Sequence, residues 1–265
     1  MERNIIYSIS SNPGKFGTTI HNAGFEAIKK NYIYKAIKIK DLKKTIEAFK
    51  FLDVKGFSVS MPFKEKVIRY LDKLDNNAKN SGAVNTVLNY KGTLYGYNTD
   101  VTGFKKAILK KKISKDCQIL ILGSGGISRS TIVSLKMLKF NNITIASRNI
   151  KKMNSLKKNY NINTLNWRYR NKHKFDVLIN ATPIGMNPLS NEMPIDKSII
   201  EKYILIIDYV ASPPITKLIK NSKKKNIDYI DGYTLTLNQA FEQFRIYTKT
   251  EPPYKVMRKI AKSLL

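Results

Sequence analysis

The sequence predicts an α/β protein of two domains: an N-terminal α/β domain and a Rossmann-type, doubly wound parallel sheet, with C-terminal helices returning to the first domain. Three observations carry this. Short apolar runs at Cys117–Leu122, Asn142–Ser147, Asp176–Asn180 and Leu205–Val210 alternate mostly with helical stretches, the pattern of a parallel sheet covered on both faces. Glycines 123, 125 and 126 stand directly between the first of these strands and a helix. Ser60, Lys64, Asn85 and Asp100 fall where predicted strands end, which is where α/β proteins build small-molecule sites.

The elements follow in order. Ile5–Ser10 reads as a strand, and a loop over Ser11–Gly17 leads to a helix opening near Thr18 and Thr19, where a threonine hydroxyl is expected to cap the first amides. Asp41 caps a second helix, whose Leu42, Ile46 and Phe49 recur at helical spacing. Gly56–Ser60 is a short strand. Pro62 then suits a helix start, with Val67, Ile68 and Leu71 as its buried stripe. Val84–Tyr90 and Thr93–Asn98 flank Lys91-Gly92, a hairpin turn. The four apolar strands follow, and then final helices over Thr234–Thr248 and Pro253–Leu265. Domain limits are expected at residues 1–101 plus 236–265 for a substrate-binding catalytic domain, and 102–235 for a nucleotide-binding domain.

Composition narrows the function classes. A chain of 265 residues, 42% hydrophobic, holds enough apolar material for real cores. No apolar run approaches the roughly 20 residues needed to span a bilayer, and the N-terminus lacks a signal-peptide layout, so a cytoplasmic protein is expected. The single cysteine, Cys117, excludes an internal disulfide and suits a buried structural thiol. The formal net charge of +29 raises nucleic-acid binding, which would show a steep salt dependence. The lysines are instead spread over nearly every helix, alongside abundant Ile and Asn, so a solvated basic surface is the preferred reading and no specific nucleic-acid partner is expected. His21 and His173 show no metal-ligand spacing, so no metal is expected. Trp167, Tyr169 and the arginines near them form one basic aromatic cluster, which reads as a packed edge before a base-stacking platform.

The segment Gly123-Ser124-Gly125-Gly126-Ile127-Ser128 gives the cofactor signal. Its glycines allow a tight turn and close approach of backbone to pyrophosphate, with Ser128 as the small residue at the helix–strand contact. After the next strand an NAD site would carry Asp or Glu for the ribose 2′-hydroxyl. This chain has Ser147-Arg148-Asn149 with Lys151 and Lys152, which would clamp a 2′-phosphate, so NADP is expected. Thr182, in Asn180-Ala-Thr-Pro-Ile-Gly-Met186, would line the far side of the cofactor.

Across nearly its whole length the chain resembles the shikimate dehydrogenase family. The likeness rests on Ile20-His-Asn22, Met61-Pro-Phe-Lys64-Glu65, Gly82-Ala-Val-Asn85-Thr86, Asn98-Thr-Asp100, Gly123-Ser-Gly-Gly126 with Arg129, Asn180–Met186, and Gly232 followed by Gln239. The resemblance implies reversible reduction of 3-dehydroshikimate to shikimate with NADPH, in aromatic amino acid (chorismate) biosynthesis, by a monomer or homodimer. It carries the catalytic lysine and aspartate over to Lys64 and Asp100, the substrate contacts to Ser60, Asn85 and Gln239, and adds Gly232 to the cofactor side. The chemistry agrees, because hydride reduction of a ketone leaves an alkoxide that needs a proton donor, and an ammonium held by a carboxylate serves. Gln243, one turn beyond Gln239, shares its helix face.

The chain departs from the family pattern on the substrate side. A Ser-x-Ser-Pro stretch is replaced by a shorter loop ending Lys15-Phe-Gly-Thr18-Thr19, Ser58 and Ser60 stand where Asn and Thr are usual, and Ala211 stands for a tyrosine. This looks like the shikimate dehydrogenase-like branch. Hydroxyls of Thr18 or Thr19, or of Ser8 and Ser10, would replace the missing serines, and Lys15 would offer a charge. A related cyclic hydroxy acid such as quinate is the alternative substrate, and a weakly catalytic NADP- or metabolite-binding module the alternative function.

Overall fold

A computed structural model describes residues 4–264 of the chain. It divides into two compact units, one running to Thr102 and resuming at Gln239, the other spanning Gly103–Asn238.

The first unit contains β1 (Asn4–Ser10), α1 (Phe16–Ala27), β2 (Tyr32–Lys38), α2 (Leu42–Phe51), β3 (Gly56–Val59), β4 (Lys73–Leu74), α3 (Asn76–Ser81), β5 (Thr86–Tyr90) and β6 (Thr93–Tyr97). Its sheet has the order β2-β1-β3-β5-β6-β4. Strand β1 pairs in parallel with β2 and β3, while β5 runs antiparallel to both β3 and β6. Helix α4 (Thr99–Ile108) then carries the chain across the division.

The second unit contains β7 (Ile119–Leu122), α5 (Gly126–Met137), β8 (Ile143–Ser147), α6 (Ile150–Tyr160), β9 (Asn163–Asn166), β10 (Val177–Asn180), β11 (Leu205–Asp208), α7 (Lys217–Lys224) and β12 (Asp228–Ile230). All its strands are parallel, in the order β12-β11-β10-β7-β8-β9. Every residue of β7, β8, β10 and β11 is buried, as continuous apolar strands require when both sheet faces are covered. Helix α8 (Gly232–Thr248) crosses back to the first unit, which α9 (Tyr254–Lys262) completes. The predicted α/β class and Rossmann-type sheet are therefore what the chain forms.

Several local expectations need correction. No threonine caps α1: the helix starts at Phe16 with Lys15 at the cap position, and Thr19 Oγ1 bonds back to the Lys15 carbonyl at 3.1 Å. Pro62 does not open a helix. It lies in a turn closed by Phe63 N donating to Ser60 O, and only a short 3₁₀ turn follows at Lys66–Tyr70. That turn stops because Asp72 N donates to Leu94 O, drawing the chain into β4 beside β6. Of the expected stripe Val67 is fully buried, whereas Ile68 and Leu71 are half-buried. Strands β2, β4, β9 and β12 and helix α3 were not read in the sequence. Helix α1 gives way to β2 through Lys29, which takes the left-handed conformation (φ 52°) usually marked by glycine, so no composition signal announces the stop.

His21 is fully buried within the first unit, stacked on Tyr34 with ring centroids 4.5 Å apart. Burial lowers its pKa from 6.5 to about 4; neither ring nitrogen reaches hydrogen-bond geometry, so Gln243 opposes the shift only weakly. The unfolded chain thus binds the proton more tightly, and the stability associated with neutral His21 is present above the unfolded pKa and lost as pH falls from about 6.5 to about 4. That loss amounts to roughly 3 kcal/mol. In His21→Leu, the drop in melting temperature between neutral pH and pH about 4 should be smaller than in wild type; equal drops would contradict this assignment.

Candidate functional site

In the first unit the β5–β6 hairpin pairs Thr86 with Tyr97, so the residues flanking that pair, Asn85 and Asn98–Asp100, come together at its open end. Asn98 Nδ2 donates to Ser81 Oγ (2.8 Å) and to Ala83 O (2.9 Å), while its Oδ1 accepts Asp100 N at 3.1 Å and so caps the start of α4. Lys64 arrives from the turn after β3, its carbonyl accepting Val84 N at 2.8 Å. These backbone constraints set Lys64 Nζ 2.6 Å from Asp100 Oδ2, with side-chain exposures of 14% and 9%. Shielding at that level separates this pair from the solvated ion pairs of the surface, where the attraction is largely screened.

Asn85 is 3% exposed and its carboxamide is fully engaged. Its Oδ1 accepts Thr99 N (2.9 Å) and Thr86 Oγ1 (2.8 Å), and its Nδ2 donates to Thr99 Oγ1 (2.9 Å) and to Gln239 Oε1 (3.3 Å). Gln239 Oε1 also accepts from Thr99 Oγ1 at 3.2 Å. One turn along α8, Gln243 Nε2 donates to Thr86 Oγ1 at 3.0 Å and to Asn85 O at 3.3 Å, so the two glutamines do share a face. Ser60 is exposed just past β3, following Ser58, whose hydroxyl is hydrogen-bonded to that of Tyr34. Thr18 and Thr19 lie in the first turn of α1, and the hydroxyl of Thr19 is already committed to Lys15 O. The sequence did not single out Thr86, Thr99 or Ser81; beside their local bonds, their hydroxyls meet Gln243, Gln239 and Asn98, partners distant in the chain.

The second unit holds the other predicted set. Gly123 has φ +109°, and a Cβ there would lie 2.7 Å from Ala181 O. Gly125 is the cap residue of α5, carries no side-chain cap, and has open space where a Cβ would stand. An uncapped helix start under an open glycine turn fits a pyrophosphate, whose charge the amides of Gly126 and Ile127 would meet. Ser124 Oγ and Ser147 Oγ, 2.8 Å apart, tie this turn to the end of β8. Beyond it Asn149 Oδ1 caps α6 by accepting Lys152 N, and Arg148, Lys151 and Lys152 are exposed with no carboxylate among them, the donor set a 2′-phosphate needs. Ser128 is fully buried at the helix–strand contact. Thr182 Oγ1 donates to Asn180 Oδ1 (2.6 Å) and accepts from Ile184 N (3.2 Å), which holds its own loop together. Gly232 opens α8, where any Cβ would collide with Val210 O, so glycine there answers a packing need.

Comparison with known proteins agrees across the chain. Residues 15–87 match the shikimate dehydrogenase substrate binding domain, residues 106–232 the shikimate / quinate 5-dehydrogenase family, and residues 232–262 the shikimate 5′-dehydrogenase C-terminal domain. A shikimate dehydrogenase (NADP(+)) of Pyrococcus furiosus is 35% identical over 261 residues, covering 97% of this chain and 94% of that protein. A shikimate dehydrogenase-like protein of Haemophilus influenzae is 33% identical, covering 96% and 94%. A solved shikimate dehydrogenase in complex with NADP+ superposes with a TM-score of 0.89 at 31% identity, covering 99% and 96%.

Gly123→Ala should destabilise the second unit by about 1–3 kcal/mol, since a left-handed φ and a contact with Ala181 O both oppose a side chain. It should also abolish most of the thermal stabilisation given by added dinucleotide, measured as the melting shift with and without it. A full shift in the variant would contradict the placement of the pyrophosphate at this turn.

Proposed function

The chain belongs to the shikimate dehydrogenase family, and from that premise we propose that it reduces the ring ketone of 3-dehydroshikimate to the alcohol of shikimate, reversibly, with NADPH. It is an NADP-dependent oxidoreductase acting on a CH–OH group. The observation that carries the reading is the 2.6 Å contact between Lys64 and Asp100 inside a shielded, hydrogen-bonded frame.

When bound, NADPH supplies the hydride that adds to the carbonyl carbon. Lys64 gives a proton to the oxygen as its charge develops, and in the oxidation direction takes that proton back. Asp100 orients the ammonium and accepts a hydrogen bond from a ring hydroxyl. Gln239 uses its Oε1 on Asn85 and Thr99, which leaves its amide nitrogen as the end to offer a ligand. Ser60 and Thr18 add hydroxyls for the ring and its carboxylate. On the nucleotide side the reading assigns Gly123, Ser124, Gly125, Gly126 and Ile127 to the pyrophosphate, Ser147, Arg148 and Lys152 to the 2′-phosphate ribose, and Thr182 and Gly232 to the nicotinamide end. On this reading the enzyme works in the cytoplasm, as a monomer or homodimer.

A second substrate is favoured by specific residues. The loop with Lys15, Gly17, Thr18 and Thr19, together with Ala211, differs from the usual shikimate pattern, and one relative is itself named shikimate dehydrogenase-like. Quinate or a similar cyclic hydroxy acid would then be preferred, which the ratio of kcat/KM for shikimate and quinate decides.

Mixing the protein with NADP+ and shikimate should raise NADPH absorbance, and Lys64→Ala should lower kcat by about 10²–10⁴-fold. Undiminished turnover in Lys64→Ala would remove the lysine from the reaction. Arg148→Ala should raise KM for NADPH by about 10-fold and leave KM for NADH nearly unchanged, because only the former has a 2′-phosphate to lose.

A further inference from the structure

The second unit buries a carboxylate that the reaction does not use. Asp208 ends β11 and is 0% exposed. Its Oδ1 accepts Asn180 Nδ2 at 2.9 Å and Val210 N at 3.1 Å, and its Oδ2 accepts Thr216 Oγ1 at 2.6 Å. All these donors are neutral, and a charged group acting on it is another carboxylate, Asp231. Burial first, and Asp231 in addition, push its pKa up to about 6. For folding alone an apolar side chain would cost less than an unpaired buried carboxylate.

Its partners show what it organises. Asn180 also donates to Ile184 O (3.0 Å) and accepts from Thr182 N (3.1 Å) and Oγ1 (2.6 Å), so it folds the loop after β10. Val210 lies near the start of the loop after β11 and Thr216 ends it. One carboxylate therefore fastens both loops. The first loop abuts the glycine turn, where Ala181 O limits the space at Gly123, and the second is tied to the helix that follows that turn, the Tyr209 hydroxyl meeting Thr131 Oγ1 of α5 at 2.8 Å. Strand order reverses between β7 and β10, which is where a doubly wound sheet opens its ligand crevice, and these loops stand at the carboxyl ends of β10 and β11.

We propose that Asp208 is a positioning residue for the nucleotide: by fastening the loops after β10 and β11 to each other it fixes the wall of the crevice and sets affinity for NADP(H), with no surface of its own to offer a ligand. The proposal rests on the NADP reading above. Asp208→Ala removes all three bonds, whereas Asp208→Asn keeps an oxygen for Asn180 and Val210 N.

The test is titration of NADPH fluorescence with purified wild type and variants, alongside KM for shikimate. Asp208→Ala should raise the NADPH Kd by about 10-fold, Asp208→Asn should recover most of it, and KM for shikimate should stay within about 2-fold. Thr216→Val should weaken NADPH while Thr216→Ser should bind as wild type, which decides the matter if Asp208→Ala does not fold. Unchanged NADPH binding in both Asp208→Ala and Thr216→Val would overturn the proposal, as would equal losses for NADPH and shikimate, which mark general loosening. A wild type that binds no NADPH would instead overturn the functional reading itself.

Discussion

The carboxamide of Asn85 is the interaction on which the frame around Lys64 and Asp100 depends. The hydrogen bonds of this one buried side chain reach the start of the hairpin, the first turn of α4 and the middle of α8. An amide is suited to this because it presents two donors and an acceptor oxygen in one plane, and in a buried setting each unmade bond would cost about 1–3 kcal/mol. The consequence reaches Asp100: with Thr99 N held by Asn85 and Asp100 N capped by Asn98, the carboxylate leaves α4 in one direction, toward Lys64. The carboxylate is thus aimed by neutral groups, and its ion pair with Lys64 completes the arrangement.

The charge balance of the chain throws that arrangement into relief. With 48 Lys and Arg against 19 Asp and Glu, carboxylates are scarce, and several that are present hold defined positions. Asp41 and Asp75 cap helices by accepting Lys44 N and Ala78 N, Asp100 pairs with Lys64, and Asp208 fastens two loops. Most lysines lie at the surface, where solvent screening makes each contribute little. A buried polar frame therefore does in this protein what dispersed surface charge cannot, which is to fix a few atoms to within fractions of an ångström.

How much was legible varied with the kind of signal. The central strands of the second sheet were plain because both faces are covered, so apolar runs such as Ile119–Leu122 and Val177–Asn180 stand out even in a lysine-rich chain. The glycine turn was plain because Gly123 adopts a backbone angle other residues avoid. Strands β2, β9 and β12 were not, since β2 and β12 each bury a single residue, β9 buries none, and their polar positions look like loop. The end of α1 was hidden because Lys29 takes the left-handed position, so the chain writes lysine where glycine would have announced a stop.

By itself the sequence determined the α/β class, the family and the glycine turn after the first strand of the second sheet, and it singled out Lys64, Asp100, Asn85 and Gln239, since each belongs to a local pattern of residue types. Only the tertiary structure decided how those residues are held. The bond from Asn85 to Gln239 spans 154 positions and that from Gln243 to Thr86 spans 157, while Asp208 reaches back 28 residues to Asn180. Hydrogen bonds of that kind are selected by distance in space, to within a few tenths of an ångström, and no spacing along the chain encodes them. It was likewise the fold that kept Thr19 bonded at the start of its own helix and Thr182 within its own loop, and that gave Thr86, Thr99 and Thr216 work their positions in the sequence did not announce.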